Sequence, residues 1–160
     1  MENDEIQIRY GNNDDREAVL QIAGKLTKWF DADAISRAIP TDLNFHKIIV
    51  ATQDSQIVGF LSFSSEEGHV FISWLGVSEE VQGRGIGTKL LKFLEEELLK
   101  LNINKLQAET LSEKIDYEPY VKTRAFYEKM GFKKAESRKI KSADGEDIEL
   151  VIYRKDLIKA

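Results

Sequence analysis

The sequence predicts one α/β domain built on a central mixed sheet, mostly antiparallel toward its two ends and parallel at one junction in the middle. Two observations predict this. Three runs rich in β-branched and aromatic residues, Lys47 to Thr52, Gln56 to Ser64 and His69 to Val77, are separated only by short polar turns and read as successive antiparallel strands. An amphipathic helix from Ile86 then stands between the third run and a fourth, Lys105 to Leu111. Strand, helix and strand in that order place the two strands parallel.

The chain opens with a short strand, in which Ile6, Ile8 and Tyr10 alternate with polar neighbours. Asn12 to Asp15 supply caps for a helix carrying Val19, Leu20, Ala23, Leu26 and Phe30. A second short helix is expected from Asp33, as its cap, to Ile39, where Pro40 ends it. Gln53, Asp54 and Ser55 turn the first hairpin, and Ser65 to Gly68 the next. The near-continuous apolar run Val70 to Leu75 predicts burial on both faces.

Ile86, Leu90, Leu91, Leu94, Leu98 and Leu101 follow helical spacing, with Lys92, Glu96 and Lys100 on the wet side and Glu95 to Glu97 as outer face. Ser112 to Pro119 reads as a polar loop before a helix from Tyr120 to Met130, stopped by Gly131 in a left-handed cap. Lys133 to Ile140 and Ile148 to Lys155 close the chain as a hairpin around Ala143, Asp144, Gly145 and Glu146.

The 160 residues, 42% hydrophobic and 32% charged, offer no linker and suffice for one core, so a single domain over residues 1–160 is expected. With no cysteine and two histidines, thiolate catalysis and cysteine-ligated zinc are excluded, and no metal is expected. A net charge of −5 argues against a nucleic-acid partner and mildly favours a cationic substrate. Met1 to Arg9 lacks the pattern of a signal peptide and no apolar run is long enough for a bilayer, so a cytoplasmic protein with no membrane partner is expected.

The segment Val81-Gln82-Gly83-Arg84-Gly85-Ile86-Gly87-Thr88 leaves a strand and enters a helix. Its backbone N–H groups and the positive helix end converge where an anion would sit, although a tight turn needs the same glycines. Two familiar phosphate motifs fail here. A P-loop needs glycine, lysine and serine or threonine in succession, but Thr88 separates Gly87 from Lys89. The dinucleotide fingerprint needs a third glycine at Thr88 and opens a parallel βα unit, whereas this turn follows an antiparallel hairpin.

Gln82-x-x-Gly85-x-Gly87 after the strand Val70 to Val77 resembles the acyl-CoA signature of the GNAT N-acetyltransferase superfamily. Ala125-Phe126-Tyr127-Glu128-Lys129-Met130-Gly131-Phe132 resembles that family's second signature, and the element order from Ile6 to Lys155 resembles its fold, a mixed sheet with helices on both faces. The resemblance implies acetyl transfer from acetyl-CoA to a primary amine of a small molecule, peptide or protein, and it leaves a homodimer open.

Carried over, it implies that backbone groups of Leu75 and Val77 bind the pantetheine arm, with Gly76 at a bulge and its N–H near the oxyanion. It implies that Gln82, Gly83, Arg84, Gly85, Ile86, Gly87 and Thr88 hold the pyrophosphate through main-chain amides, with the Gln82 and Arg84 side chains as further donors. Splaying of the strands ending at Val77 and Leu111 would open the slot. Tyr127 matches the position that protonates the departing thiolate; a packed tyrosine is the alternative.

The attacking amine must lose a proton, since an amine of pKa about 10.4 is charged at neutral pH. Phe71 stands where some members place a glutamate base. Glu109 resembles a carboxylate others use on the next strand, and a hydrogen-bonded or exposed strand carboxylate is the alternative; Asp116 and Glu118 are further acids. Tyr120 replaces an asparagine that contacts pantetheine, a role open to Thr123. Trp29, Phe30, Phe45 and Trp74 line an acceptor pocket or pack the core, and Asp31 and Asp33 face a cationic acceptor or cap a helix. His46 and His69 carry no expected role, and His69, at a strand start beside Gly68, reads as an exposed side chain rather than a catalytic one. An acyl-CoA-binding regulatory module without turnover is the alternative to an enzyme, and a purely structural domain a third reading.

Overall fold

The strands of the computed structural model are β1 (Gln7–Tyr10), β2 (Lys47–Gln53), β3 (Gln56–Glu66), β4 (His69–Val77), β5 (Lys105–Leu111), β6 (Lys133–Lys141) and β7 (Asp147–Asp156), and its main helices are α1 (Arg16–Lys25), α2 (Ile39–Asp42), α3 (Ile86–Lys100) and α4 (Glu118–Lys129). The structure describes residues 5–112, 114, 117–142 and 144–158, so Asp116 and the turn residue Ala143 lie outside the described residues. One sheet runs in the order β1-β2-β3-β4-β5-β7-β6, antiparallel throughout except where β4 meets β5.

Period-two alternation divides the core into two layers. Ile49, Ala51 and Leu61 face a cluster built on α3, whose Ile86, Leu90, Leu91, Leu94 and Leu98 are all buried. Val50 and Phe60 face the other way, onto Val19, Ile22, Ala23 and Ile39 of α1 and α2. The hairpins turn on paired positive φ angles, Asp54 and Ser55 at 51° and 66°, Glu67 and Gly68 at 51° and 83°, the twist that two-residue loops need. No residue from Val70 to Leu75 is fully exposed. Among the described residues no helix is long and apolar enough to cross a membrane.

Several expectations need correction. α1 ends at Lys25, and Leu26 and Phe30 are buried from the turns that follow, where Trp29 and Phe30 donate backbone bonds to the Leu26 carbonyl. Tertiary burial there replaces helical continuity. Pro40 starts α2 rather than ending a helix, because a first-turn residue has no intrahelical N–H bond to lose; a π-turn, Ala34–Ala38, precedes it. Asp31, not Asp33, caps that turn by accepting from the Ala34 N–H at 2.8 Å, while Asp33 pairs with Arg37.

α4 begins at Glu118, with Pro119 in its first turn. Leu101 lies beyond the end of α3 and is 69% exposed. Glu95 is not on an outer face, since its carboxylate receives Lys155 of β7 at 2.8 Å.

Arg9 donates to both Asp15 oxygens at 2.7 and 2.9 Å, and the Asn12 N–H donates to the same carboxylate at 2.8 Å, fixing β1 to the entry of α1. The guanidinium holds the Asp15 carboxyl below the usual aspartate range. Such a group stabilises the fold fully above its unfolded pKa of about 3.9, and the contribution is lost as pH falls through the lower folded value. Asp15→Asn should therefore cost about 1–2 kcal/mol at neutral pH. Thermal melts should show the gap closing below about pH 4; a gap unchanged between neutral and acidic pH contradicts the assignment.

Candidate active site

The parallel pair of β4 and β5 is short, with only Phe71 opposite Gln107 and Ile72 opposite Ala108. Beyond that point β4 stays on β3 as far as Val77, and β5 stays on β7 as far as Leu111. The strands part, and a slot opens between them. The register of β3 and β4 slips between Ser62 and Phe63, leaving Ser73 as the extra residue at the mouth of the opening. The bulge expected at Gly76 is thus at Ser73. Gly76 instead pairs with Phe60, and a Cβ there would stand 2.8 Å from the Phe60 ring and from Leu26 Cδ1, so close packing is what requires glycine.

Three cavities follow one another along the slot. The first, about 290 Å³, is lined by Leu75, Gly76, Val77, Gln82, Gly83 and Gly87, with Lys122 and Phe126 of α4 opposite. The second, about 350 Å³, shares Leu75 and Trp29 with the first and adds Ser73, Glu109, Tyr120, Thr123 and Tyr127. The third, about 620 Å³, shares Ser73, Trp74 and Glu109 with the second and adds Asp42, Glu66, Phe71 and Arg138. Two other depressions, of about 530 and 660 Å³, flank the β1 to α1 connection and hold none of the expected site residues.

At the first cavity α3 begins on Gly85, in the left-handed region at φ 80°, with no side chain capping it and no acidic residue in its first turn. Gly83 has φ 82°, and open space lies where a Cβ of either would stand. The first-turn N–H groups from Ile86 to Thr88 therefore have no partner from their own helix or from a capping side chain, the donor set an anion needs. The Gln82 side chain is not free for that purpose alone, because its Nε2 donates to the Val77 carbonyl at 2.8 Å. Arg84 is exposed.

Tyr127 is 4% exposed and stacks among Phe126, Phe132 and Tyr153 while lining the second cavity. Burial pushes its hydroxyl far above the usual tyrosine range. It therefore stays protonated throughout ordinary pH. Tyr120 donates to the Trp29 carbonyl at 3.2 Å, tying α4 to the turn after α1, and the Thr123 hydroxyl donates to the Pro119 carbonyl at 3.0 Å within α4 itself.

Glu109 lines both the second and third cavities, but both its oxygens accept from Arg138, at 2.6 and 2.9 Å. That pairing raises the Arg138 pKa. Of the four aromatic residues expected at an acceptor pocket, Trp29, Phe30 and Trp74 line the second cavity; Phe45 does not, being 83% exposed in the turn after α2. Asp31 lines the same cavity, whereas Asp33 and Glu118 are engaged in surface pairs with Arg37 and Lys122. His69 is exposed at the start of β4, near Gln107, and His46 is half-buried in another depression, its backbone N–H donating to the Asp42 carbonyl at 2.9 Å.

Four contributors went unseen in the sequence. Arg124 donates to the Leu111 and Ser112 carbonyls at 2.9 and 3.1 Å. Asp42 accepts from the Trp74 indole N–H at 2.8 Å, and Lys122 and Arg138 complete the walls. Apolar periodicity marks the helix that carries Arg124 but not the partner it reaches. Among the described residues no group of three or more histidine, cysteine or carboxylate side chains could hold a metal ion.

The model of an acetyltransferase (GNAT) domain matches residues 44–134. An uncharacterised N-acetyltransferase of Methanocaldococcus jannaschii is 35% identical over 107 residues, which are 66% of this chain and 65% of that protein, so the chain spans about two thirds of that curated relative. Among solved structures, a GNAT family acetyltransferase from Elizabethkingia anophelis with acetyl-CoA bound superposes with a TM-score of 0.71 at 19% identity, covering 96% of this chain and 99% of that one. The ribosomal-protein-S18-alanine N-acetyltransferase of Escherichia coli gives 0.69 at 18% identity, covering 98% and 96%. At these identities the solved structures speak to the fold.

The burial of Tyr127 has a direct optical consequence. Ultraviolet titration through about pH 10.5, where ordinary tyrosines ionise, should give the same tyrosinate amplitude for the chain and for Tyr127→Phe. An amplitude smaller by one residue in the variant contradicts a sealed, protonated Tyr127.

Proposed function

The chain belongs to the GNAT acetyltransferase family, and from that premise we propose that it moves an acetyl group from acetyl-CoA directly to a primary amine. The observation that carries the reading is the parting of β4 and β5 between an uncapped helix start at one end and Tyr127 toward the other. In this reading the amides of Gly83 to Thr88 hold the pyrophosphate, which the glycines let approach the main chain. Arg84 and Lys122 lend positive charge, and Gln82 steadies the end of β4. The edge of Leu75, Gly76 and Val77 takes the pantetheine arm as a strand partner would.

The donor supplies the activated acyl group, and the chain's part is to orient it, exclude water and manage two protons. Tyr127, kept protonated by its apolar surroundings, gives its proton to the sulfur as the C–S bond breaks. A backbone N–H at Gly76 supports the carbonyl oxygen as charge develops. Glu109 receives the ammonium end of the acceptor: each carboxylate oxygen has a second acceptor site beyond the one that Arg138 occupies, open to the amine or to a water that carries its proton away. The acceptor is a small-molecule amine or a peptide or protein amine, and a cytoplasmic setting accords with that supply.

One observation favours a second reading, an acyl-CoA-binding regulatory module. Phe71 cannot accept a proton and Glu109 is already paired with Arg138, so neither of these two strand positions beside the slot offers an unpaired carboxylate.

Acetyl-CoA at about 100 times its Kd should stabilise the fold by about 2.7 kcal/mol in a thermal-shift titration. Thiol release with an amine panel separates the two readings, since only the enzyme turns over. Tyr127→Phe should lower kcat about a hundredfold while keeping acetyl-CoA binding. Absence of a thermal shift ends both readings, and a Tyr127→Phe variant with undiminished kcat ends the acid assignment.

A further inference from the structure

The third cavity, at the far end of the slot from the glycine turn, has a charge pattern that the transfer chemistry alone does not require. Its charged lining consists of the carboxylates of Asp42, Glu66 and Glu109 and the guanidinium of Arg138. Arg138 is committed to Glu109 by two hydrogen bonds, so its charge is matched and the two remaining carboxylates set the sign of the groove. Glu66 makes no ion pair with a described residue. Arg37, which feels the Asp42 charge, has its own fork filled by Asp33.

Between the charged groups the groove is lined by apolar side chains and by Ser64 and Ser73. Phe71, Ile72 and Leu150 contribute to its lining, and Trp74 forms a fixed wall, its indole N–H bonded to Asp42 and its ring edge-to-face with Phe30 at 5.6 Å. The groove is therefore a stretch of hydrocarbon-compatible surface with one carboxylate, Glu109, where it joins the slot, and further carboxylates along the rest of its lining. An indole face in such a place also attracts a cation. An acceptor bearing a carboxylate would meet Asp42 and Glu66, and among the described residues that line the groove there is no uncommitted cation to receive it.

We propose that the acceptor is a linear diamine, its reacting amine delivered past Glu109 and its distal ammonium held by Asp42, Glu66 and the face of Trp74. The inference rests on acetyl transfer in the slot. In the step, the neutral amine nitrogen forms the C–N bond to the acetyl carbon, the C–S bond breaks, and the sulfur leaves with the proton from Tyr127; the nitrogen, cationic after attack, gives up one proton by way of Glu109 or water, and one proton taken back from water restores Tyr127. The distal ammonium keeps its charge throughout, so its binding pairs act equally before and after transfer and appear in KM rather than kcat.

The test uses three acceptors of nearly equal length: 1,4-diaminobutane, 1-aminobutane and 4-aminobutanoate. Initial rates of thiol release, with product masses, should give a kcat/KM for the diamine at least about tenfold above the monoamine, with the aminobutanoate lowest. Asp42→Asn keeps an oxygen for the Trp74 N–H, and Glu66→Gln touches no structural partner. Each should raise KM for the diamine with kcat little changed, and leave the kinetics of 1-aminobutane as they were. Equal kcat/KM for diamine and monoamine, a peptide amine preferred to the diamine, or variants that impair the monoamine equally would overturn the proposal while leaving acetyl transfer standing. Calorimetric titration of 1,4-diaminobutane into the CoA-saturated protein gives an independent readout. Binding weakened by Asp42→Asn supports the groove even if no acceptor turns over, which would count against acetyl transfer; no binding in the unsubstituted protein overturns it.

Discussion

Two strands that meet in parallel and then separate leave backbone edges that must find partners, and the rest of the site is arranged around that requirement. β4 and β5 share only two paired positions before each commits to its antiparallel neighbour. Side chains close part of the opened edge. Gln82 donates to the Val77 carbonyl at the end of β4, and Arg124 donates to the Leu111 and Ser112 carbonyls at the end of β5. The stretch from Trp74 to Gly76 lies between these clamps, where an extended ligand that mimics a strand would complete the ladder. Gln82 and Arg124 thus keep the slot open at defined width, one from the glycine turn and the other from α4.

The same gap determines what α4 does. The helix lies over the slot and contributes Tyr127 to its middle and Phe126 and Lys122 to the end at the glycine turn. Its attachment is mostly polar at one end, through Arg124 and Tyr120, and aromatic at the other, where Tyr127 meets Phe132 edge-to-face and stacks on Tyr153. A tyrosine held in this way has little rotational freedom. The apolar packing that keeps its proton on also fixes where the hydroxyl can be delivered.

Much of this fold was legible because its strongest signals are local. The heptad-like run from Ile86 to Leu98, the β-branched strands and the left-handed Gly131 needed no tertiary partner to be read, and neither did the glycine turn. Legibility failed where distant contacts decided. Leu26 and Phe30 have helical spacing but are buried from turns, since packing under β4 outweighs continuation of α1. Gly76 looked like a bulge and is a packing site, because only the fold brings Phe60 and Leu26 against it. Asp42 with Trp74 and Glu109 with Arg138 join residues 32 and 29 positions apart, beyond any periodicity.

The electrostatic asymmetry of the slot follows from these placements. One end presents the start of α3 with Lys122 across from it, and the other presents Asp42 and Glu66 beside the matched pair of Glu109 and Arg138. A polyanionic donor and a cationic acceptor are each attracted to the end that suits them and repelled from the other. Under the proposed function the two substrates need not pass one another. Each enters from its own side of the sheet's opening, and the place where they meet is the short stretch at Ser73 to Gly76, where the bulge turns the strand and Tyr127 faces the gap. The net acidity of the chain, read alone, favours cations only weakly; concentrated at one end of a slot whose other end is positive, it acquires a direction.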